Sequence, residues 1–429
     1  MSVDRRQFLK AGGAAALLAA ASGCETVAQH LPIASFTRSR VVVVGGGYGG
    51  ATAAKYVRLL DPSIEVLLVE PSDEFVSCPL SNLVLGGFRS MADITTPYSG
   101  LLRHGVRVIR DTATAIDTER RQVRMASGEP LSYDRVILSP GVDFMWEALP
   151  AMDNPTAQSR ILHAWKAGPQ TLALRRQLEN MRDGGVFVIS VPEAPFRCPP
   201  GPYERACQAA AYFKAAKPRS KVLILDANED VISKGALFKR AWLELYPGMI
   251  EHRPNSRAVD VDVANNVLKL EFGDEKADVL NVLPPMKAAR IVDPFITANG
   301  RWCEVDWLTY ESKAAKNVHI LGDSLQIAPL MPKSATMANG HGKVCAAAVV
   351  ALLRGDMPNP APTLVNTCYS MVSDKLAIHV ASVHKYDTGE HPGTMRPVPG
   401  AGGLSSAMSE AEGTYSMNWA RNIWADALA

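Results

Sequence analysis

The first clear pattern in the chain is an apolar run that ends in glycines. Four consecutive valines occupy positions 41–44, as in strands that are buried on both faces. Gly45, Gly47 and Gly50 follow with the G-x-G-x-x-G spacing. The first glycine allows a tight turn, the second allows the backbone to approach a pyrophosphate, and the third allows close packing of helix and strand. The pattern predicts a strand, a turn and a helix whose N-terminus faces an anion.

A second apolar run strengthens this interpretation. An alanine-rich helical pattern continues to Leu60, and Ile64 to Val69 then read as another buried strand. The strand ends at Glu70, about 20 residues past the last glycine, where an acidic side chain binds the hydroxyl groups of a ribose. Together the two runs predict a dinucleotide-binding unit.

A similar order of elements returns in the middle of the chain. Helical patterns cover Gly168 to Arg182 and Tyr203 to Ala216, and buried strands cover Val186 to Val191 and Lys221 to Asp226. The place of a second glycine-rich loop is taken by the proline-rich segment 192–202. Prolines stiffen this loop and remove backbone donors that a pyrophosphate needs. A nicotinamide nucleotide is therefore not expected in this unit.

Two other strands end in turns that are typical of flavoproteins with two dinucleotide domains. The strand that ends at Leu138 runs into Ser-Pro-Gly141, which resembles the crossing between such domains. The strand that starts at Val318 ends in Gly-Asp323 and is followed by Lys333 and the helical stretch 335–353. In these flavoproteins the aspartate binds the ribityl hydroxyls and the helix directs its positive end at the flavin. The three features in this order favour FAD over NAD.

The N-terminus has the pattern of an export signal. Arg5 and Arg6 precede the short apolar run Ala11 to Ala21, which is too short to span a bilayer. Adjacent arginines resemble a twin-arginine signal, which predicts a periplasmic protein. Cys24 offers a lipid-attachment site as an alternative, but plain cleavage is preferred because Ala21 stands where such sites usually carry Leu.

Composition adds mainly exclusions. The 429 residues are 47% hydrophobic with a formal net charge of +2, which gives no basic excess for nucleic acid. Seven cysteines in an exported protein permit disulfides, whose pairing the sequence leaves open. The sequence contains no C-x-x-C-H, so no c-type haem is expected on this chain. No histidine pair has zinc-site spacing, no metal site is expected, and no apolar run is long enough for a transmembrane segment.

From about residue 38 to the C-terminus the chain resembles the flavoprotein subunit of flavocytochrome c sulfide dehydrogenase, within the group of sulfide:quinone reductases and disulfide reductases. The resemblance is most specific in FRCPPGPYERA (196–206), which stands where the fold normally has glycines. The other matching segments are VVGGG (43–47), CPLSN (78–82), HAWKAG (163–168), MPKS (331–334) and NTCYS (366–370).

The resemblance implies roles for individual residues. Cys198 and Cys368 match a redox-active disulfide beside the flavin, although a structural disulfide is the alternative. Cys198 also precedes a helix N-terminus, where a thiolate is stabilised. Cys78 matches the residue that binds the flavin covalently, but Pro79 stands where an aromatic residue is expected. Glu204 is expected to carry protons near the disulfide, or to be an ordinary first-turn carboxylate. The remaining cysteines are expected in the core: Cys207, Cys303 and Cys345.

The implied fold class is α/β, with two Rossmann-like dinucleotide-binding domains of the glutathione-reductase type and a C-terminal α+β interface domain. The expected divisions are an export signal (1–24), a linker (25–38), the first part of an FAD domain (39–148), a second Rossmann-like domain without a nicotinamide loop (149–284), the second part of the FAD domain (285–355) and the interface domain (356–429).

The implied activity is oxidation of hydrosulfide. Hydrosulfide attacks the disulfide by thiol-disulfide exchange, leaving a persulfide and a thiolate, and electrons pass through FAD to a separate c-type cytochrome that carries the haem. One alternative is a sulfide:quinone reductase, which the polar, glycine- and proline-rich segment 387–415 disfavours. The others are a nicotinamide-dependent disulfide or persulfide reductase, disfavoured by the proline-rich loop, and a non-catalytic flavin electron-transfer or sulfur-carrier subunit.

Overall fold

The computed structural model describes residues 38–429. The predicted export signal and residues 25–37 of the predicted linker lie outside the described residues, so both stay predictions. Between residues 38 and 429, no helix combines the length and the apolar character needed to cross a bilayer.

The regular elements of residues 38–429 are numbered in chain order. The helices are α1 Tyr48–Leu60, α2 Ser81–Gly86, α3 Ser99–Arg103, α4 Pro155–Arg160, α5 Pro169–Asn180, α6 Gly201–Ala216, α7 Gly235–Leu245, α8 Ala335–Arg354 and α9 Glu410–Leu428. The strands are β1 Arg40–Val44, β2 Glu65–Val69, β3 Glu74–Val76, β4 Thr95–Pro97, β5 Val106–Ile109, β6 Ala113–Asp117, β7 Gln122–Met125, β8 Leu131–Ser132, β9 Arg135–Leu138, β10 Val142–Phe144, β11 Val186–Val191, β12 Lys221–Asp226, β13 Ile250–Arg253, β14 Ala258–Asp262, β15 Val267–Leu270, β16 Asp274–Lys276, β17 Val279–Val282, β18 Met286–Ala288, β19 Val318–Ile320, β20 Thr363–Met371, β21 Ala377–Tyr386 and β22 Met395–Leu404.

The first sheet is parallel, with the strand order β19-β9-β1-β2-β5. Its central strand β1 carries the four valines, which are at most 6% exposed because helices cover both faces of such a sheet. Strand β19 comes from much later in the chain and pairs with β9. The carboxyl ends of β1, β2, β9 and β19 therefore meet at one edge, where ligands bind in open α/β sheets.

The second sheet repeats this arrangement. Its order is β13-β12-β11-β17, and all its strands are parallel. Strands β11 and β12 have the bounds predicted from the sequence, while α6 begins at Gly201, two residues before the predicted start. The proline-rich segment connects β11 to α6, as the glycine turn connects β1 to α1.

The C-terminal part forms an antiparallel sheet, β20-β21-β22, followed by the long helix α9. Helix α9 packs on α1: the Lys55 ammonium donates to the carbonyls of Ala425 and Asp426, each at 3.0 Å. Tyr56 and Asn339 donate to the Asp426 carboxylate at 2.6 and 2.8 Å. These contacts hold the C-terminal sheet over the edge of the first sheet.

Buried histidines give the fold a dependence on pH, and His319 and His341 are two of those whose pKa burial lowers. Burial lowers the pKa of His319 to about 4 and that of His341 to about 3. In the unfolded chain both titrate near pH 6.5, so below that pH the unfolded state binds more protons than the folded one. We expect the free energy of unfolding to fall between pH 6.5 and 4, by up to about 1.4 kcal/mol per pH unit for each histidine.

Urea unfolding at pH 7 and pH 5 measures this loss. The variant His341→Gln should show a smaller difference between the two pH values, whereas His391→Gln, at an exposed position, should behave as the wild type. Equal pH dependence in the wild type and His341→Gln would contradict the assignment.

Candidate active site

The glycine turn after β1 leaves room for a ligand. Gly45 has φ +97°, which favours glycine, and a Cβ at Gly50 would lie 1.9 Å from the carbonyl oxygen of Gly45. A Cβ at Gly47 would meet nothing within 4 Å among the described residues, and Gly47 lines a cavity. The turn therefore has the packing constraints and the open face that a pyrophosphate-binding loop requires.

Glu70 lies beside this turn at the end of β2. Its Oε2 accepts a hydrogen bond from the Gly46 amide at 2.8 Å, and its Oε1 accepts one from the Ser72 amide at 2.9 Å. The carboxylate also lines the cavity, where it can accept hydrogen bonds from ribose hydroxyls.

One elongated cavity collects the residues that the sequence singled out. It starts at the glycine turn, passes along the first sheet and ends between the second sheet and the C-terminal sheet. Gly50 lies behind the turn and does not contribute to the lining. The other predicted site residues all line the cavity: Gly45, Gly47, Glu70, Cys78, Gly141, Cys198, Glu204, Asp323, Lys333 and Cys368.

The middle of the cavity is formed by the segment between β19 and α8. The Lys333 ammonium donates to the carbonyl of Asp323 at 2.9 Å and lies 3.5 Å from the ring centre of Trp302. Burial lowers the pKa of Lys333 to about 7. Ser334 caps α8 by accepting from the Met337 amide at 3.1 Å, so the positive end of this helix faces the cavity.

These groups fit FAD. The glycine turn and Glu70 suit its pyrophosphate and ribose, and the α8 N-terminus suits the electron-rich flavin. Within residues 38–429 the buried Nε of Arg197 has no hydrogen-bond partner, although this residue lines the cavity. An unpaired donor of this kind is costly unless a ligand accepts from it.

Cys198 and Cys368 reach the cavity from different sheets. Cys198 has φ +58° and its amide donates to the carbonyl of Lys333 at 2.9 Å. Cys368 lies on β20. Both thiols are unbridged, as are the other four cysteines of the described residues.

The structure adds an effect that opposes the sequence argument for a stabilised thiolate at Cys198. Helix α6 does begin three residues later, but burial raises the pKa of the Cys198 thiol, and Cys368 and Glu204 raise it further. Burial also raises the pKa of Cys368. Removal from water therefore opposes the stabilisation of a thiolate that a helix N-terminus provides.

Cys78 lies in the loop between β3 and α2, on the same cavity. Its Sγ is 3.5 Å from the Ala167 amide nitrogen and 3.8 Å from the Trp165 carbonyl oxygen. Leu80, two residues later, is held at φ +70°. The thiol is thus presented to the cavity by a constrained loop, which is what covalent attachment of a flavin requires.

Glu204 is buried at 9% exposure and joins three segments. One carboxylate oxygen accepts from Asn82 Nδ2 at 2.9 Å, and the other accepts from the Met371 amide at 2.8 Å. Burial raises the pKa of this carboxyl, against the hydrogen bonds and nearby cations that lower it. The group can thus hold a proton close to the two thiols.

The sequence analysis assigned no role to four residues at or near this end of the cavity. Three of them line it: Asn82, Arg197 and Arg205. Arg205 is 2% exposed and donates to Asn82 Oδ1 at 3.1 Å and to Asn281 Oδ1 at 2.7 Å. Arg197 donates to the carbonyl of Trp165. Asn82, Arg197 and Arg205 could have been identified from the sequence, because they belong to segments that carry the family resemblance. Lys234, a buried lysine beside Cys368, had no sequence signal.

The acidic residue at the end of β12 in the second sheet has a different environment from Glu70, its counterpart in the first sheet. Asp226 ends β12 as Glu70 follows β2, but its carboxylate is fully buried. It accepts from Tyr203 OH at 2.6 Å and from the Asn228 amide at 3.0 Å, and lies 3.1 Å from His252 Nε2. These contacts commit the carboxylate to the interior, which disfavours ribose binding here.

Comparison with known families matches the described chain in two stretches, residues 39–284 and 360–428. Residues 39–171 match the pyridine nucleotide-disulphide oxidoreductase model. Residues 171–284 match the central domain of the sulfide dehydrogenase (flavocytochrome c) flavoprotein chain, and residues 360–428 match the flavin-binding domain of flavocytochrome c sulphide dehydrogenase.

Individual proteins agree with these matches. The sulfide dehydrogenase (flavocytochrome c) flavoprotein chain of Chlorobaculum thiosulfatiphilum is 71% identical over 45 residues, which cover 10% of this chain and 94% of that sequence. The mitochondrial sulfide:quinone oxidoreductase of Dictyostelium discoideum is 23% identical over 367 residues, covering 81% of this chain and 73% of the relative. The crystal structure of the Aquifex aeolicus sulfide:quinone oxidoreductase superposes with a TM-score of 0.73 at 18% identity, covering 90% of each chain. This likeness confirms the predicted fold class.

The two glycines of the turn predict opposite outcomes on substitution. Gly50→Ala should prevent correct folding, because its Cβ meets backbone that cannot move away. Gly47→Ala should keep the fold and its thermal midpoint without cofactor, but lower the affinity for FAD at least tenfold, because the methyl group occupies the open face. Thermal melting and titration with FAD measure the two effects. A Gly47→Ala protein that binds FAD as tightly as the wild type would contradict this assignment.

Proposed function

The chain belongs to the flavocytochrome c sulfide dehydrogenase flavoprotein family, and from this premise we propose that it oxidises sulfide with FAD. We propose further that the reaction uses a disulfide between Cys198 and Cys368, and that the electrons leave to a c-type cytochrome. The enzyme is an oxidoreductase.

One observation supports this proposal above the others. Cys198 and Cys368, which are distant in sequence, line the same cavity as the glycine turn, Glu70 and Lys333. Electrostatic interaction between the two thiols is strong enough to raise the pKa of Cys198. A purely structural disulfide has no need to lie on the wall of a dinucleotide cavity.

The charges at this end of the cavity suit an anionic sulfur substrate. Arg197, Arg205 and Lys234 are cationic, and Glu204 is the carboxylate that faces them. Hydrosulfide carries one negative charge, and burial strengthens its attraction to these cations. Asp323, farther along the cavity, lies near Lys333 and Arg197.

The proposed step is a thiol-disulfide exchange. Hydrosulfide forms a bond to the sulfur of one cysteine, the Cys198–Cys368 bond breaks, and its electron pair leaves on the other cysteine as a thiolate. The Glu204 carboxylate accepts the proton of the hydrosulfide, which leaves a persulfide anion. Because burial raises the pKa of Glu204, this carboxylate binds a proton more readily than an exposed one.

Bound FAD supplies the electron acceptor, since flavins take up two electrons and release them one at a time. Cys78 is proposed to hold the flavin covalently, because its sulfur lies on the cavity and its loop is constrained. The acceptor is proposed to be a separate c-type cytochrome, because the chain has no haem-attachment motif. Periplasmic export by a twin-arginine signal also remains a proposal.

The disulfide proposal predicts a selective loss in Cys198→Ser. When the holoprotein is mixed anaerobically with sulfide, wild-type flavin absorbance should bleach, and added cytochrome c should be reduced. Cys198→Ser should lower the bleaching rate at least a thousandfold while FAD stays bound, since no disulfide can form.

The matched control is Cys345→Ala, a buried cysteine of α8 away from the cavity lining, which should bleach as the wild type does. Undiminished bleaching in Cys198→Ser would exclude the disulfide step. Reduction of a soluble quinone but of no cytochrome by the wild type would favour the sulfide:quinone reductase alternative.

The covalent attachment predicts the fate of the flavin under acid. Wild-type protein precipitated with trichloroacetic acid should give a yellow pellet, because a thioether survives denaturation. Cys78→Ser should bind FAD before precipitation and release it into the supernatant afterwards, whereas Cys345→Ala should keep the yellow pellet. Flavin in the wild-type supernatant would show that the bond is absent.

A further inference from the structure

A buried lysine from the second domain reaches the strand that carries Cys368. Lys234 is 5% exposed, and its ammonium donates to the carbonyl of Cys368 and to Ser370 Oγ, each at 2.9 Å. An ammonium has three donors, so one N–H remains after these two hydrogen bonds. Neither of these acceptors carries a charge, and the ammonium also lies 5.9 Å from the ring centre of Phe238. The carboxylate that interacts with it electrostatically is that of Glu204.

The backbone at this position indicates that the side chain is needed. Lys234 has φ +57° and ψ +33°, in the left-handed region that is unfavourable for residues with a Cβ. Cys198 also lies in this region, with φ +58°. Such conformations persist where the surrounding structure imposes them, and they cluster at functional sites. Glycine would satisfy the backbone at 234 better than lysine does.

The other cations of the site are committed to different partners. Arg205 donates to Asn82, Asn281 and the carbonyls of His163 and Ala164. Arg197 donates to the carbonyl of Trp165, and its charge acts on Cys78, Asp323 and Cys198. Lys234 is therefore the cation of this site that is attached to the Cys368 strand.

We propose that Lys234 is a positioning residue that keeps the sulfur of Cys368 ionised once the disulfide is opened, and so makes Cys368 the leaving group. The inference rests on the proposed function. Hydrosulfide forms its bond to Cys198 Sγ, the bond between Cys198 and Cys368 breaks, and the electron pair stays on Cys368 as a thiolate beside the ammonium. The proton of the hydrosulfide passes to Glu204.

The electrostatics of the pair agree with this assignment. The charged and titratable groups acting on these sulfurs are Lys234, Glu204, Arg197, Arg205 and the two thiols themselves. Burial raises the pKa of Cys368. Lys234 lowers this pKa, and its effect is larger than that of Glu204, which raises it. At Cys198, by contrast, burial, Cys368 and Glu204 all raise the pKa of the thiol. Arg197 lowers it, and Lys234 lowers it less than Arg197 does.

The test measures the ionisation of Cys368 without any sulfide. Reduced holoprotein is alkylated with iodoacetamide in short pulses between pH 6 and 12, and the modification of Cys368 is followed by mass spectrometry. Lys234→Met should move the midpoint of Cys368 alkylation upward by at least one pH unit, which is a tenfold loss of rate below the midpoint. The control Lys234→Arg, which keeps the charge, should stay within a few tenths of a pH unit of the wild type.

Lys234→Gly is a second neutral variant, used in case Lys234→Met fails to fold. Glycine adopts the left-handed backbone conformation at this position without strain. An unshifted Cys368 midpoint in a folded neutral variant would overturn the proposal, as would an equal shift in Lys234→Arg. Failure of both neutral variants to fold would assign the lysine a structural role and overturn it too. Sulfide-driven bleaching of the wild-type flavin tests the proposed function separately, so the two can fail independently.

Discussion

The burial of one carboxylate, Glu204, determines the geometry of the site. Its two oxygens accept from Asn82 of α2 and from the Met371 amide of β20, while its own backbone belongs to α6. A carboxylate can stay buried only when hydrogen bonds and charges replace water. The three segments that satisfy it are therefore held together, and Cys78, Cys198 and Cys368 lie within a few residues of these contacts. The same burial raises the pKa of the carboxyl, so the group that organises the site is also able to hold a proton there.

The two parallel sheets show how one architecture can serve two purposes. The order β13-β12-β11-β17 repeats β5-β2-β1-β9, yet the loop after the central strand differs. In the first sheet, glycines leave an open face for a phosphate. In the second, prolines and Cys198 occupy the corresponding place, and Asp226 is turned inward to Tyr203 and Asn228. The second domain has the form of a nucleotide domain but presents a thiol and cations to the cavity, which is why we assign it to the sulfur chemistry.

The C-terminal sheet completes the site from the opposite side. Strand β20 brings Cys368, Ser370 and the Met371 amide to the buried side chains of the second domain. Helix α9 holds this sheet in position through the contacts of Lys55, Tyr56 and Asn339. Apart from the NTCYS segment, the sequence of this region suggested little about how it packs, because its strands pair with one another and its helix packs on residues from the start of the chain.

The sequence by itself determined the features that depend on neighbouring residues. The valine strand, the glycine turn and Glu70 follow from short-range steric rules, so they predicted the dinucleotide cavity and the first sheet. The family resemblance predicted the fold class and identified Cys198 and Cys368 as candidates. The spacing of residues along the chain could not show that these two cysteines are close in space. Only the tertiary structure decided that they share one cavity, that burial raises the pKa of Cys198, and that the Lys234 ammonium contacts the Cys368 carbonyl. These outcomes depend on contacts between distant segments and on exclusion of water, and neither leaves a periodic signal in the chain.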